Sequence, residues 1–339
     1  MSKPHPELPL GLEDIREAAS RIAPHAVRTG LITHPALDRA TGARVFLKPE
    51  NLQRTGSFKF RGALNAARAL TEAERSRGLL AWSSGNHAQA VALTAKLLNC
   101  PATIVMPADA PALKIEATRA HGAQIVLYDR VDEDREAVGR AIAERTGAVI
   151  IPPYDHLPTI AGQGTMGFEI VQDLTEAGLA PDIVLVCCGG GGLVAGTALA
   201  ITHGFPQTAV LAVEPEGFDD TRRSLIAGTR QTNPLNSGSL CDALMAPTPG
   251  AVTFPINLTL LAGALAVSEA AAQAAMRFAF SHLKLVLEPG GAVALAALLD
   301  GALDFRGQTV VAVLSGGNVD PDLFARILMA SDDAPVTVR

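Results

Sequence analysis

The amino-acid sequence predicts an α/β fold built from mostly parallel sheets that are flanked by helices. Short β-branched runs alternate with longer helical patterns almost from end to end, as in chains whose parallel strands are joined by crossover helices. The chain has 339 residues, of which 48% are hydrophobic and 4% aromatic. This is enough apolar material for one large core or two modest ones, and we expect two closely joined lobes.

The individual elements follow from hydrophobic periodicity and from the turn residues between the runs. The predicted strands are Val45–Lys48, Leu79–Trp82, Thr103–Met106, Gln124–Tyr128, Ile183–Cys188, Val210–Val213 and Val310–Leu314. The predicted helices include Ala88–Leu98, Ala112–His121, Glu133–Arg145, Leu193–His203, Ala270–Leu283 and Ala292–Leu299.

The order of these elements indicates two domains with a cleft between them. Residues 76–152 hold three predicted strands and their crossover helices, and we expect them to form a small, mobile domain. Residues 1–75 and 153–339 would form the larger, ligand-binding domain. Residues 217–255 are rich in Gly, Pro, Ser and Thr, so a long functional loop is predicted there.

Composition excludes several classes of function. The net charge of -6 and the pI near 5.8 argue against a nucleic-acid-binding surface. The longest apolar stretch, Leu258–Met276, is interrupted by Ser268 and Glu269, and we interpret it as a helix and not as a membrane span. The N-terminus lacks a secretory pattern, so we expect a soluble, cytoplasmic protein with reduced cysteines that binds neither membrane nor nucleic acid.

Three polar or glycine-rich loops follow predicted strands. They are Ser83–His87, Gly189–Gly192 and Ser315–Asn318. Ligands of α/β sheets bind beyond the carboxyl ends of the strands, so we expect all three loops at one edge of the sheet. Converging loops of this kind predict a small-molecule site.

The loop Gly189–Gly192 has the character of a phosphate-binding turn. Residues without side chains allow several backbone N–H groups to approach an anion, and the dipole of the following helix adds to the attraction. A tight strand-to-helix turn would explain one or two of the glycines. Gly190-x-Gly192-x-x-Ala195, with Glu214 after the next strand, also fits a loose dinucleotide-binding pattern.

Lys59 lies between Phe58 and Phe60, directly before a predicted helix. Loss of hydration at this position would lower the pKa of the amine and leave a neutral nucleophile suited to imine formation. The alternative is a surface lysine whose stem passes its apolar neighbours. Local chemistry alone leaves both interpretations open.

Together, these motifs resemble the fold-type II enzymes that use pyridoxal 5′-phosphate (PLP), within them the branch of serine/threonine dehydratases and serine racemases. Matching segments occur in the family's order: ENLQRTGSFKFRGA at 50–63, SSGNHAQ at 83–89, AGQGT at 161–165, the glycine loop, and SGGN at 315–318. The resemblance implies a two-lobed, tryptophan synthase β-like fold. It also disfavours the nicotinamide interpretation of the glycine pattern.

The resemblance implies a role for each matching residue. PLP would form a Schiff base with Lys59, which would also be the general base, while Phe58 packs on the ring, Asn86 bonds its hydroxyl and Ser315 faces its nitrogen. Its phosphate would be held by Gly189, Gly190, Gly191 and Gly192. The substrate carboxylate would be bound by Ser83, Ser84, Asn86 and His87. Ser84 also matches the second base of the racemases, and Arg135 matches an arginine that reaches a distal carboxylate.

A divalent-cation site is implied as well. Glu214, the Phe218 carbonyl and Asp220 match hard oxygen ligands suited to Mg²⁺, Ca²⁺ or Mn²⁺. Alternatively, Glu214 ends a strand, and the acidic pair that includes Asp220 caps a helix.

The implied activity is an ammonia-lyase that dehydrates a small β-hydroxy amino acid to a 2-keto acid and ammonia. The alternatives are a serine or aspartate racemase, a dehydratase specific for 3-hydroxyaspartate or phenylserine, and a homologue without catalytic activity. We expect the chain to form a homodimer or a higher homo-oligomer.

Overall fold

The computed structural model describes residues 8–110, 112–234, 237–301, 303–331 and 336. Nine strands are present in these residues, and every strand pair is parallel. The strands are β1 (Arg44–Pro49), β2 (Leu79–Trp82), β3 (Ala102–Pro107), β4 (Gln124–Tyr128), β5 (Val149–Ile150), β6 (Ile183–Cys187), β7 (Ala209–Pro215), β8 (Gly263–Val267) and β9 (Thr309–Leu314).

The strands form two separate sheets. The larger sheet has five strands in the order β1-β9-β6-β7-β8, and the smaller has four in the order β4-β3-β2-β5. Both are fully parallel and flanked by helices, which confirms the predicted fold class. The loop at Ser83 therefore follows a strand of the smaller sheet, and the expectation that all three loops share the edge of one sheet is wrong.

The helices cover the sheets and connect consecutive strands. They are α1 (Leu12–Ile22), α2 (Pro35–Thr41), α3 (Lys59–Ala69), α4 (Glu72–Ser76), α5 (Asn86–Leu97), α6 (Ala112–Arg119), α7 (Arg135–Thr146), α8 (Leu157–Glu176), α9 (Gly192–Gly204), α10 (Asp220–Ala227), α11 (Thr253–Leu260), α12 (Glu269–Phe278), α13 (Pro289–Leu299) and α14 (Pro321–Met329). A π-helical turn, Ala279–Leu283, continues α12.

Two predictions about individual elements are wrong. The stretch Leu258–Met276, predicted as one helix, contains the end of α11, the edge strand β8 and the start of α12. Residues 217–255, predicted as a loop, include α10 and the first turn of α11. The elements in both places are five to ten residues long, which is too short to show a clear period.

Most of the apolar core lies on the larger sheet. Helix α13 is buried along almost its whole length, from Pro289 to Leu298, and packs on that sheet. The core of the smaller sheet combines its strands with α5 and with α3, including Phe60 and Leu64. Helix α3 therefore contributes to the core beneath the smaller sheet, although it precedes residue 76. The domain boundaries and the mobility of residues 76–152 stay predictions.

Four charged side chains form a buried network close to the start of α3. Arg61 pairs with Glu50 through Nε and Oε2 at 2.8 Å and with Glu169 through Nη1 and Oε1 at 2.7 Å, and Lys48 Nζ lies 2.6 Å from Glu169 Oε2. Burial by itself would raise the pKa of Glu50, but Arg61 holds that pKa below its usual value. Removing one member of such a network leaves a buried charge unpaired, which typically costs about 3–5 kcal/mol.

No helix within the described ranges combines the length and the apolar character that are needed to cross a bilayer.

Candidate active site

A cavity of about 610 Å³ is lined by loops that follow strands of the larger sheet and of the smaller sheet. The structure brings most of the predicted site residues together around this cavity, and the three predicted metal ligands are not among its lining residues. The lining includes Phe58, Lys59, Ser83, Ser84, Asn86, His87, Arg135, Gly189, Gly190, Gly191, Gly192 and Ser315.

Lys59 is the first residue of α3, and its side chain extends into the cavity wall. Its Nζ donates a hydrogen bond of 2.9 Å to the carbonyl oxygen of Pro153 and lies 5.1 Å from the centre of the Phe58 ring. Burial lowers the pKa of Lys59 to about 8, although the nearby Glu288 carboxyl opposes the shift. At neutral pH, about a tenth of an amine with this pKa is unprotonated and able to act as a nucleophile or base, far more than for an exposed lysine.

The glycine loop is held by its carbonyl groups. The Gly190 carbonyl accepts hydrogen bonds from Thr253 Oγ1 (2.7 Å) and from the Gly250 N–H (3.2 Å), while the Gly191 carbonyl accepts one from Asn257 (3.3 Å). Among the described residues, the N–H groups of residues 189–192 make no hydrogen bonds. These donors, together with the N-terminus of α9, form a cradle whose chemistry fits a phosphate group.

Tyr154 supplies a second reason for glycine in this loop. A Cβ added at Gly190 would come within 2.3 Å of the Tyr154 ring, and one at Gly192 within 2.9 Å of the Tyr154 carbonyl oxygen. Gly191 has φ +91°, a conformation that L side chains rarely adopt. Tyr154 had no predicted role, because no pattern along the chain connects it to the glycines.

A chain of side-chain hydrogen bonds runs across the cavity wall. Asn318 Nδ2 donates to the Thr55 carbonyl (2.6 Å) and to Asn86 Oδ1 (2.7 Å), and Asn86 Nδ2 donates to Glu288 Oε1 (2.6 Å). Glu288 is buried, and burial raises its pKa to about 8, with a further contribution from Asp242. Glu288 is not among the predicted site residues. The sequence feature that could have indicated it is a single carboxylate followed by Pro-Gly-Gly at the start of a fully apolar helix.

Ser315 directly follows the end of β9 and lies against the same wall. The Ser315 carbonyl accepts a hydrogen bond of 3.1 Å from the Phe58 N–H, and its side chain interacts with the Cys187 thiol and opposes the rise that burial causes in the pKa of that thiol. These contacts join the end of β9 to the start of α3. Ser315 and Lys59 are thereby held on the same side of the cavity.

His87 is buried beside Asn86 at the start of α5. Its Nε2 lies 2.7 Å from the Ile151 carbonyl, which can only accept, so Nε2 carries the hydrogen and Nδ1 is an acceptor. Burial, assisted by Lys59, lowers the pKa of His87 to about 3. A neutral histidine in this tautomer has no free donor, so a direct bond from its ring to a substrate carboxylate does not fit, in contrast to the hydroxyls of Ser83 and Ser84.

Cationic side chains lie at the cavity surface formed by the smaller sheet and its helices. Lys114 is paired with Asp242 at 3.0 Å, and Arg140 is paired with Glu136 at 2.6 Å. Arg135, the first residue of α7, is exposed and forms no ion pair within the described residues. The arginine predicted to reach a distal carboxylate is therefore an available cation at this surface.

The predicted metal ligands lie at the end of β7 and the start of α10. Both Glu214 oxygens accept backbone N–H groups, from Thr221 (2.9 Å) and Arg222 (2.8 Å), so Glu214 caps α10. Asp220 Oδ1 accepts from Asn233 (2.6 Å), and its Oδ2 is buried without a partner in the described part of the chain. Burial raises the pKa of Glu214 to about 8 and that of Asp220 to about 6.

No group of three or more His, Cys, Asp or Glu side chains suited to a metal occurs in the described parts of the chain. The predicted set consists of two carboxylates and one backbone carbonyl. The unpartnered Asp220 oxygen beside a second buried carboxylate is nevertheless compatible with a hard cation.

The half-buried Lys59 amine and the glycine loop line the same cavity, an arrangement that fits an enzyme whose phosphorylated cofactor is held by the loop and attached to the amine. Residues 22–316 match the family model described as pyridoxal-phosphate dependent enzyme. The chain belongs to this family, and its cofactor is PLP.

Relatives within the family have several activities. The chain is 46% identical over 315 residues to an L-threo-3-hydroxyaspartate ammonia-lyase of a Pseudomonas species, covering 93% of this chain and 97% of that protein. It is 40% identical over 316 residues to a serine racemase of Schizosaccharomyces pombe, covering 93% and 96%. Among solved structures, a threonine deaminase from T.th. superposes with a TM-score of 0.86 at 45% identity, over 91% of this chain and 99% of that one.

Proposed function

We propose that the protein is a PLP-dependent ammonia-lyase that dehydrates a small β-hydroxy amino acid to a 2-keto acid and ammonia. The observation that carries the proposal is the Lys59 amine, which lies in the cavity with its pKa lowered to about 8. The ammonia-lyases and deaminases among the relatives support this reaction class. Bound PLP supplies an electron-withdrawing ring that acidifies the α-hydrogen of an attached amino acid.

The residues of the chain would bind, orient and move protons around that cofactor. The N–H groups of residues 189–192 would hold its phosphate, Phe58 would pack against its ring and Asn86 would donate to its ring hydroxyl. Ser315 would face the ring nitrogen, and a hydroxyl cannot keep that nitrogen firmly protonated. Lys59 Nζ would accept the α-proton, because an amine with a pKa near 8 is an effective base close to neutral pH.

For the substrate, we propose a β-hydroxy amino acid with a second carboxylate, as in 3-hydroxyaspartate. Ser83 and Ser84, at the loop before α5, would bind the α-carboxylate with the helix N-terminus. The unpaired Arg135 would bind the distal carboxylate. Two relatives named L-threo-3-hydroxyaspartate ammonia-lyase, at 46% and 41% identity, support this choice.

Racemisation is the second candidate activity. The observation that favours it is Ser84, whose hydroxyl lines the same cavity as Lys59 and could return a proton to the opposite face of the substrate. Relatives named serine racemase support it as well. Replacing Ser84 by alanine would then lower racemisation far more than ammonia release, which would lose only the contribution of Ser84 to carboxylate binding.

We further propose that Glu214, the Phe218 carbonyl and Asp220 bind a divalent cation, Mg²⁺, Ca²⁺ or Mn²⁺. The unpartnered buried oxygen of Asp220 supports this, since a cation would neutralise the repulsion between the two carboxylates. We also propose that the protein is cytoplasmic, that its small domain is mobile and that it forms a homo-oligomer.

The test is release of keto acid and ammonia by the purified holoenzyme. The substrates are L- and D-serine, L-threonine, phenylserine and the isomers of 3-hydroxyaspartate, each with and without added Mg²⁺. We expect the highest kcat/KM for one 3-hydroxyaspartate isomer and an increase with Mg²⁺. Ammonia release from none of them would contradict the lyase proposal, and a preference for serine or threonine would contradict the dicarboxylate.

A further inference from the structure

Glu288 is a buried carboxyl group in the cavity wall that none of the roles above uses. It precedes α13, where Pro289 occupies the first helical position. Its Oε1 accepts the 2.6 Å hydrogen bond from Asn86 Nδ2. A Cβ added at Gly316 would come within 2.3 Å of the same oxygen, so the strand end at Ser315 is also shaped around this carboxyl group.

The Thr55 carbonyl fixes the polarity of the hydrogen-bond chain through Asn86. The Thr55 carbonyl can only accept, so the amide nitrogen of Asn318 faces it and directs its second hydrogen to Asn86 Oδ1. The Asn86 nitrogen must then face Glu288, whose Oε1 accepts one of its two hydrogens. In the part of the chain that the structure describes, the second N–H of the Asn86 side chain remains free to bind a ligand. The Asn86 oxygen does not, because it already accepts from Asn318.

We propose that Glu288 is a positioning residue for PLP: together with Asn318, it fixes the amide of Asn86 so that a donor and not an acceptor is presented to the cofactor. The inference rests on the proposed contact between Asn86 and PLP. Without Glu288, the amide loses a partner for its buried nitrogen and is restrained only through its oxygen. The cofactor oxygen beside it would then meet a poorly oriented donor.

The ionisation of Glu288 adds a signature that a packing role would not produce. Its pKa is raised to about 8 by burial and by Asp242, so the carboxyl changes charge within an accessible pH range. The charged and titratable side chains that interact with it come from several elements: Lys59, Lys114, Cys187, Cys241 and Asp242. Asn86 lowers the pKa through its hydrogen bond, so protonation and the position of Asn86 are coupled.

The test uses holoenzyme and apoenzyme of the wild type, E288Q, E288L, N86A and the double variant N86A/E288L, with exposed E72Q as the matched control. The readouts are the Kd of PLP and the pH dependence of the visible absorption of the bound cofactor between about pH 6 and 10, a range that spans the raised pKa. E288Q retains an oxygen acceptor for Asn86, so we expect a Kd within about twofold of the wild type. E288L lacks it, and we expect Kd to rise about tenfold.

The Kd of PLP in the double variant N86A/E288L tests whether Glu288 acts through Asn86. If it does, adding E288L to N86A changes Kd by less than about twofold, because the two substitutions remove one shared interaction. We also expect a spectral transition near pH 8 in the wild type and in E72Q, none in E288Q, and a lower midpoint in one further variant, D242N. Asp242 raises the pKa of Glu288, so removing its charge moves the midpoint down.

Additive effects of E288L and N86A on Kd, or a spectral transition that persists unchanged in E288Q, would overturn the inference. An unchanged Kd for N86A would overturn it as well, by removing the contact between Asn86 and PLP on which it rests. These outcomes are independent of substrate turnover, so failure of the proposed ammonia-lyase activity is distinguished from failure of this role.

Discussion

The two sides of the cavity are built differently. On the side of the larger sheet, the site consists of backbone groups and short buried side chains: the glycine loop is held by Thr253 and Asn257 from behind, and Ser315 is buried beside Cys187. On the side of the smaller sheet, long cationic side chains such as Arg135 extend from exposed helix starts. The first side suits an invariant ligand such as a cofactor, and the second suits a substrate that differs between relatives.

The largest expected effect concerns the residue that faces both sides. Lys59→Ala removes the amine that would bind the cofactor and accept the α-proton, so we expect turnover to fall by about 1,000-fold or more. The visible absorption of bound PLP should disappear with it. K96A, which replaces a lysine on α5 outside the cavity lining, is the control and should behave as the wild type. Normal turnover of K59A would refute the proposed chemistry on both sides of the cavity.

A smaller effect is expected when the rigid side is overpacked. Gly190→Ala places a methyl group 2.3 Å from the Tyr154 ring, and such overpacking typically costs about 1–3 kcal/mol. If the strain is relieved by moving the loop, PLP affinity falls by roughly 5- to 150-fold, which reconstitution of the apoenzyme measures. The control is G30A, where a Cβ meets nothing within 4 Å. Equal PLP affinity in G190A and G30A would mean that the loop does not hold the cofactor.

On the other side, Arg135→Gln should change substrate choice and not cofactor binding. We expect kcat/KM for 3-hydroxyaspartate to fall about tenfold, the value of one charged hydrogen bond, while values for serine and threonine change little. R119Q, whose arginine is already paired with Glu116 on α6, is the matched control. A similar loss for all substrates, or a change in PLP affinity, would break the division of roles between the two sides.

The smallest effect is a pH dependence of stability from His87. Its pKa in the folded protein, about 3, lies below the ordinary value of 6.5 that applies on unfolding. The unfolded chain therefore binds the proton first, so this contribution to stability is complete above pH 6.5 and is lost as the pH falls towards 3. Over roughly one pH unit below 6.5, the wild type should lose about 1 kcal/mol of unfolding free energy that H87Q retains.

Chemical denaturation of the apoprotein at pH 6.5 and at roughly one pH unit below it measures this difference in unfolding free energy, with H25Q as the control. Equal losses in the wild type and H87Q would show that His87 is not held neutral.

The fold class and most of the strands could be predicted because buried parallel strands are rich in β-branched residues. Strand β8, with the sequence GALAV, is not predicted as a strand, because small apolar residues fit a buried strand and a helix equally well over five positions. Helix α8 was not predicted, since the glycines of its AGQGT segment resemble a loop. In the structure, a Cβ at Gly162 would lie 2.6 Å from the Arg61 carbonyl, so these glycines allow α3 and α8 to pack closely.

The site was predictable where one segment supplies its own chemistry. The residues around Lys59 and the loop 189–192 belong to continuous motifs, and their placement at one cavity follows from strands that end there. Glu288, Tyr154 and Asn257 were not predicted, because each acts on a residue far away in the chain and has no local pattern. The separation of the loops into two sheets was also missed, since alternation along the chain does not reveal which strands pair.

The buried network around Arg61 has a consequence for engineering. Arg61 is two residues from Lys59, and the other members of its network come from β1, the turn after β1 and α8. The scaffold that presents the lysine is therefore encoded in separate stretches of sequence. A graft of segment 50–63 into another protein would bring Glu50 with Arg61 but would leave the second partner of the guanidinium, Glu169, behind. Libraries that vary this region would retain folded members only when the charges are exchanged as a set.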